Sequence, residues 1–575
     1  MINGTPVPVA PNGTFLAYLP VPPATAPRYD LVTYLGAAGD SGRVDTARTT
    51  IPVRVPRPLP DLSLTGRLVV DSASVSPRGG FMALRDSEPV RVTIRAPLNA
   101  IAWISPTPES PSSPAEQPTR RVAEPPSRRV TGRPSRRPAA PPSRRAAESP
   151  SRRVAESPSR PLANVSGNTF ATDVPAGLLK AGATLYVARG NDTVHFALTK
   201  PRDARSQWVS LGDPAAQNDT DATIIGRSTP AGTYKWMLVP GTIVEETGRL
   251  GDNVRVRFDS QLEVWVDSMS VRPLAANYPP PRRTVGAMSL VPAADWVDLV
   301  LPVSSPPPYL IEQDLGHITL TLYGTTASPD VIKFLQNDSL VRIVNWVPEQ
   351  SDRVVFRMEL SRPPYGYLVL FDPARGFILR LRRPPRVNPN RPLEGLVITV
   401  DPGHPPGGAI GPTALTEAEG VLPVSFKLRD ILQQRGATVV MTRTTMEAVD
   451  LHLRSVIARR ANANALISIH LNAFGDGVNP FPNVGTSTLF FHPQTEPLAR
   501  LVQAGMTREM GLRDLGVHYQ NIAIGRTMWM PSLICEGAFL MVPEQENAVK
   551  TPEFQDRYAR GVADGIEAYF RSLAR

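Results

Sequence analysis

The chain has 575 residues, with 41 Gly, 63 Pro, 20% charged positions and a formal net charge of +10. At roughly 100–200 residues per domain this length predicts three to five domains. The lack of any strict glycine period excludes a collagen-like chain. A single cysteine, Cys535, excludes an intrachain disulfide and any all-cysteine zinc or iron–sulfur site.

The charge is localised. Residues 120–160 hold twelve arginines and three glutamates, so this stretch carries +9 and the rest of the chain +1. A nucleic-acid enzyme spreads its basic surface over a folded domain, so no specific nucleic-acid partner is expected. No apolar run reaches the ~18 residues that a membrane helix needs. The first residues lack the basic start and apolar core of a signal peptide.

In chain order, residues 1–107 read as one or more Ig-like β modules, with alternating segments at 14–21, 50–55 and 90–94 and an abrupt, truncated-looking start. Residues 108–163 read as a Pro/Arg/Ser-rich disordered linker in which Ser-Arg-Arg recurs at Ser127, Ser135, Ser143 and Ser151. Proline and like charges keep such a segment extended, and it lacks the apolar surface to offset the entropy of folding. Two readings of it stand together: a charged spacer, and an adhesive for an anionic envelope polymer or membrane surface. Residues 164–272 predict a second β-rich module, with strands at 183–187, 193–198 and 254–258 and with Trp208, Trp236 and Trp265 as core anchors. Residues 273–392 predict a third, with strands at 296–301, 317–322, 354–358 and 367–370.

From residue 393 to 575 the period changes. Strands at 396–400, 437–441, 466–469, 486–491 and 532–535 alternate with helices at 417–434, 451–462, 496–510 and 554–570. Asp450 and Thr551 are expected helix caps. The first helix is expected to bury Leu422, Phe426, Leu428 and Ile431, and the last Phe554, Tyr558, Val562 and Ile566. The fold class is thus multidomain: N-terminal and central all-β modules, then a C-terminal three-layer α/β catalytic domain with a mostly parallel sheet. In such sheets the active site lies beyond the carboxyl ends of the strands.

Five of the seven histidines follow residue 400. His404 follows one strand, His470 ends another, Glu417 opens a helix and Glu536 ends a strand. Two imidazoles and a carboxylate suit Zn²⁺ with an open position for water. A second carboxylate that is not a ligand can take the water's proton. Glu536 stands between apolar Leu533-Ile534-Cys535 and Gly537-Ala538-Phe539, where a carboxylate is rarely idle. Cys535 reads as a buried strand residue and not a nucleophile. His518 reads as an incidental loop histidine, His452 and His492 as structural or exposed, and His195 and His317 as parts of β modules.

Asp401-Pro402-Gly403-His404, Glu417 thirteen residues before Asp430, Thr442-Arg443, Ser468-Ile469-His470-Leu471-Asn472-Ala473, Arg526-Thr527 with Met530-Pro531, and Cys535 to Phe539 together resemble the zinc-dependent N-acetylmuramoyl-L-alanine amidases. The resemblance covers the last 180 residues or so. It implies that His404, Glu417 and His470 bind one Zn²⁺ and that Glu536 is the catalytic carboxylate. It implies hydrolysis of the amide between N-acetylmuramic acid and L-alanine in bacterial peptidoglycan, for cell-wall remodelling or daughter-cell separation, in the periplasm or cell wall. Arg526 is expected to orient Glu536 or bind a peptide carboxylate; the plainer alternative is a surface salt bridge. Glu417 is followed by Ala418-Glu419, which makes Glu419 a rival ligand. The family's Glu-x-Gly-Phe ending is Glu536-Gly537-Ala538-Phe539 here, and Pro405-Pro406 stiffens a loop that is often glycine-rich. No internal blocking helix is expected after residues 486–491, though a β module could still cover the groove. Residues 273–392 resemble, by strand pattern alone, the AMIN β domains that precede some of these amidases.

Peptidoglycan is the implied partner, and an activator protein is a candidate second one. The competing readings are a zinc peptidase acting on wall peptides, a wall-binding scaffold with a retired amidase domain, and an arginine-rich nucleic-acid binder. The last is weakened because no aromatics interleave the basic segment.

Overall fold

A computed structural model of the chain describes all residues except 12, 24–25, 37–43, 54–61, 107–158, 214, 216–222, 231, 315, 334–337, 476–477 and 575. The Ser-Arg-Arg repeat of the expected linker therefore lies outside the described residues. The chain divides into two compact units, Pro58–Ala204 and a second one made of Met1–Arg57 with Arg205–Arg575.

The first unit does not follow the expected boundaries at 107 and 164. Pro89–Arg95 pairs antiparallel with Thr169–Pro175, and Ile101–Pro106 pairs with both Ala183–Arg189 and Arg160–Pro161. Strands on the two sides of residues 107–158 thus share sheets and belong to one β unit. Alternation along each strand shows which face is buried but not which strand is its neighbour.

In the second unit, the hairpin Arg28–Gly36/Val44–Pro52 takes in only the start of the 50–55 segment. The expected strand at 14–21 is not formed. Pro20, Pro22 and Pro23 crowd it, and Phe15, Tyr18 and Val21 stay exposed. Antiparallel strands then run from Gln207–Leu211 to Val271–Pro273. Of the three tryptophans there, only Trp236 is buried; Trp208 and Trp265 are half-exposed, and Arg255 lies 5.5 Å over the Trp265 ring. Residues 284–382 form a five-stranded and a four-stranded sheet around one core with the preceding strands, in which Val297, Leu299, Leu320, Phe356 and Leu379 are fully buried.

The C-terminal domain has strands β1 (Val397–Pro402), β2 (Thr438–Met441), β3 (Ala465–Asn472), β4 (Thr486–Phe490), β5 (Asp514–Tyr519) and β6 (Ser532–Phe539). The sheet order is β2-β1-β3-β6-β4-β5. The first four are parallel; β4 is antiparallel to β6 and carries β5 parallel to itself. Helices α1 (Glu417–Gln434), α2 (Leu451–Arg460), α3 (Glu496–Met510), α4 (Pro543–Val549) and α5 (Pro552–Leu573) cover it. α1 and α3 pack on α5 over one face, and α2 covers the other with Ala458 beside Leu466, Met530 and Ile534.

Helix starts follow the capping residues. Thr416 and Glu419 make a capping box for α1, Asp450 Oδ1 accepts from His452 N (2.8 Å) at α2, and Thr551 Oγ1 accepts from Phe554 N (3.3 Å) at α5. Phe554, Tyr558, Val562 and Ile566 are buried as expected. The face of α1 is rotated from the expected one: Val421, Val424, Leu428 and Leu432 are buried, whereas Leu422 and Phe426 are half-exposed. The small Gly420 and Ser425 lie on the same buried side and let the helix approach the sheet. The connection after β4 is a short 3-10 turn, Pro493–Thr495, with no blocking helix.

Candidate metal centre

The parallel strands β1 and β3 carry His404 and His470 to one rim, and α1 begins there with Glu417. Ligand atoms of His404, Glu417 and His470 all lie within 4.8 Å of one another. Glu417 is 4% exposed. His470 Nδ1 is 2.9 Å from its Oε1 and His404 Nε2 is 3.3 Å from its Oε2. Leu471 N donates to Oε1 (3.0 Å) and Ala409 N to Oε2 (2.9 Å). Burial alone would raise this carboxyl; His404 and His470, which donate to it and carry positive charge when doubly protonated, outweigh burial and hold Glu417 well below the usual range in the metal-free site. The carboxylate in turn raises His404.

The ring nitrogens left for a cation follow from the outer hydrogen bonds. Ser468 Oγ donates to Asp401 Oδ2 (2.6 Å), so it accepts from His470 Nε2–H (3.0 Å), leaving Nδ1 bare toward Glu417. His404 Nδ1–H donates to Pro406 O (3.0 Å), leaving Nε2 bare. Two bare imidazole nitrogens and an ionised carboxylate converging on one point are the donor set of a divalent-metal site.

The loop bearing His404 is held from beneath by two buried arginines. Arg454, 2% exposed, donates to Asp401 Oδ1 (2.8 Å), Pro402 O (2.8 Å), His404 O (3.2 Å) and Pro405 O (2.9 Å). Arg443 donates to Pro402 O (2.9 Å), Gly403 O (2.8 Å) and Ala418 O (3.0 Å). His404 itself sits at φ 55°, a left-handed conformation that costs a non-glycine residue about 1 kcal/mol or more. At Gly403 a Cβ would lie 2.5 Å from His470 Cε1, so only glycine lets the two histidine-bearing segments approach.

Glu536 lies opposite His470 across β3 and β6 and opposite Ser487 across β6 and β4. Part of its side chain reaches the surface, but Oε2 is shut off from solvent and has no hydrogen-bond partner among the described residues. Burial, opposed by His470 and reinforced by Glu417, pushes its carboxyl up to about 7. The adjacent Gly537 leaves room for the Tyr558 ring, whose hydroxyl donates to His470 O (3.1 Å) and Cys535 O (2.8 Å). Burial holds the Cys535 thiol well above its ordinary range.

The structure thus gathers His404, Glu417, His470 and Glu536. It places Arg526 elsewhere: its Nη1 donates to Asn521 Oδ1 (3.0 Å) and its guanidinium lies 5.2 Å over Tyr234. Glu419 is engaged by Thr416, whose N and Oγ1 donate to its Oε2 at 2.9 and 2.6 Å. His492 is buried, its Nε2 donating to Arg526 O (3.0 Å), and His518 is exposed near Leu515 O. Sequence reasoning missed Arg454. Its one local signal is a charged residue four positions before the buried Ala458, on the inner stripe of α2.

A helix-covered parallel sheet presenting two histidines, a glutamate and a sequestered second carboxylate at one rim is the build of a metal-dependent hydrolase. Residues 398–568 match the family described as N-acetylmuramoyl-L-alanine amidase. The germination-specific N-acetylmuramoyl-L-alanine amidase of Bacillus subtilis (strain 168) is 30% identical over 199 residues, covering 31% of this chain and 81% of that protein. N-acetylmuramoyl-L-alanine amidase LytC of the same organism is 29% identical over 182 residues, covering 31% of this chain and 36% of LytC. The crystal structure of an N-acetylmuramoyl-L-alanine amidase from Clostridium difficile 630 is 29% identical, covers 30% of this chain and 96% of that one, and has a TM-score of 0.29. The chain belongs to the N-acetylmuramoyl-L-alanine amidase family, and its C-terminal domain is the amidase domain.

Proposed function

We propose that the domain hydrolyses the amide between N-acetylmuramic acid and L-alanine in bacterial peptidoglycan outside the cytoplasm, with His404, Glu417 and His470 holding one Zn²⁺ and Glu536 acting as general base and acid. The observation that carries this reading is the unpartnered Glu536 Oε2 facing the His404–Glu417–His470 cluster. Zn²⁺ held there supplies a Lewis acid that polarises the amide carbonyl and acidifies water. Glu536 takes a proton from the attacking water and returns it to the L-alanine nitrogen as the C–N bond breaks. Burial that raises the Glu536 carboxyl above its ordinary range favours its taking up and holding the proton between the two halves of that transfer. Glu417, held ionised by its two histidines, offers a charge to the cation and not a proton to the substrate. Arg526 has no part in this reading, because Asn521 and Tyr234 engage it.

Digestion of purified peptidoglycan with wild type and Glu536→Ala, each with and without zinc, tests the proposal. New free L-alanine amino termini, identified by mass spectrometry, are expected from zinc-loaded wild type alone. New termini inside the stem peptide would instead identify a peptidase. Intact wall in every sample would overturn both.

A further inference from the structure

The end of β3 carries a polar group that the chemistry above does not use. Ile467, Ile469 and Leu471 lie in the core under α1 and α5, and Leu466 lies in the core under α2. Strand alternation therefore puts Ser468, His470 and Asn472 together on the α2 side of the sheet. On β6, Leu533 and Cys535 belong to the α5 side and Ile534 to the α2 side, so Glu536 shares the side of His470. Between His470 and Asn472 the pairing gains a residue: His470 stands opposite Glu536, but Asn472 stands opposite Phe539. The extra residue is in β6, so β3 keeps its alternation. Asn472 thus follows His470 by about 7 Å along the same face.

The side-chain amide of Asn472 is held in one orientation. Its Oδ1 accepts from Ala473 N (2.8 Å), and because a backbone N–H only donates, this contact identifies the oxygen end. The backbone is anchored as well: Leu540 N donates to Asn472 O (2.9 Å), and Phe474 packs on the buried Phe539 with 4.8 Å between ring centres. Asn472 is half-buried. Its Nδ2 has no hydrogen-bond partner among the described residues and is not shut off from solvent. Neighbouring donors are spent inward. The Ser468 and Thr442 hydroxyls donate to Asp401, and the Tyr558 hydroxyl donates to His470 O and Cys535 O. Arg443 and Arg454 are used on the loop beneath His404.

A muramoyl peptide is uncharged where the amidase would cut it. Two further amide carbonyls flank the scissile bond: that of the N-acetyl group on the sugar and that of L-alanine. A neutral N–H donor pairs with such an acceptor without the cost of desolvating a charge. We propose that Asn472 is a substrate-binding residue whose Nδ2–H donates to an amide carbonyl flanking the scissile bond, while Ala473 N holds the amide plane. The ligand chemistry is a neutral carbonyl with two sources, the N-acetyl group and L-alanine. The proposal rests on the wall-amidase reading of the same site and adds to it a contact that fixes the substrate's position.

The test measures binding to the zinc-loaded full chain carrying Glu536→Gln, so that nothing is cut. The probes are N-acetylmuramoyl-L-alanyl-D-isoglutamine, its N-deacetylated form, and N-acetylmuramoyl isopropylamide, which lacks the alanine carbonyl. Asn472→Asp keeps an oxygen for Ala473 N and removes the NH₂; Asn472→Ala removes both. About three- to tenfold weaker binding of the first probe is expected for each variant. The probe lacking the responsible carbonyl should bind parent and variants alike, which identifies the source. Equal affinities of parent and variants for the first probe, or no binding by the parent, would overturn the proposal. Equal losses on all three probes would overturn it too, since neither carbonyl would be the acceptor. So would a zinc affinity that falls together with substrate affinity in Asn472→Ala, read by chelator competition, because Asn472 would then act on the metal centre. Failure of the amidase reading would appear separately, as absent peptidoglycan turnover by the chain with Glu536 intact.

Discussion

Glu536 and His492 show how burial sets the charge of single groups at the two ends of the same sheet. Glu536 is pushed up by burial, and Glu536→Gln keeps its shape while removing the proton carrier. Turnover should fall about 10²–10⁴-fold, with stoichiometric bound metal retained, as read by metal analysis of the purified variant. His492 is moved the other way: burial pushes its imidazole down to about 4, against the donation of Nε2–H to Arg526 O. An unfolded histidine titrates near about 6.5. Between these values the unfolded chain takes up a proton that the folded chain refuses. This group's contribution is therefore complete above about pH 6.5 and is lost as pH falls toward 4, by up to about 3 kcal/mol. His492→Gln retains a donor for the Arg526 carbonyl and removes the titration. Its thermal midpoint should decline less than that of wild type between pH 7 and pH 4; parallel declines would contradict the assignment.

At the scale of elements, the loop from Asp401 to Pro406 carries a histidine in a left-handed conformation, and α2 supplies the guanidinium that holds it there. Arg454→Met removes the bonds to Pro402, His404 and Pro405 and leaves the fully buried Asp401 without its counter-charge, at a cost of about 3–5 kcal/mol. Arg454→Lys keeps the charge but not the fork. Zinc competition against a chromophoric chelator should show about 10–100-fold weaker binding in Arg454→Lys, with a circular dichroism spectrum like that of wild type. An unchanged affinity would mean that the loop holds its shape without α2. The same elements show how far local pattern reaches. α5 was legible to its buried residues, since Phe554, Tyr558, Val562 and Ile566 repeat with helical spacing and Thr551 caps the start. In α1 the stripe was misplaced by about one residue, because Leu422 and Phe426 are as apolar as Val421 and Val424, and only the position of the sheet separates them. β5 was not anticipated: its half-exposed sequence, Asp514–Tyr519, is itself the sheet edge and pairs with β4 alone.

Across the whole molecule, the β part meets the amidase domain at the amino-terminal ends of its parallel strands, so the expectation that a β module could cover the groove is not supported by this junction. Tyr367 N donates to Met528 O (2.9 Å), Tyr365 OH donates to Asn464 O, and Arg382 bridges to residues 462 and 463. At Gly366 an added Cβ would collide with Trp529 O. Gly366→Ala should destabilise this junction by about 1–3 kcal/mol. Limited proteolysis in residues 383–396 should be faster, with little change in the metal affinity of the distant centre; unchanged proteolysis would show that the contact is not needed to hold the two parts together.

By itself the sequence determined the multidomain order, the change from β to α/β near residue 393, and the gathering of His404, Glu417, His470 and Glu536. Those follow from short-range patterns: a strand ends, a helix is capped, and parallel topology delivers the strand ends to one rim. Tertiary structure alone decided that the strands before residue 107 and after residue 158 share one β unit, that Arg454 rather than Arg526 supports the centre, and that an arginine-lined cleft opens at the far end of the sheet. Each depends on partners tens to hundreds of residues apart, and periodicity records which side of an element is buried without recording what is buried against it.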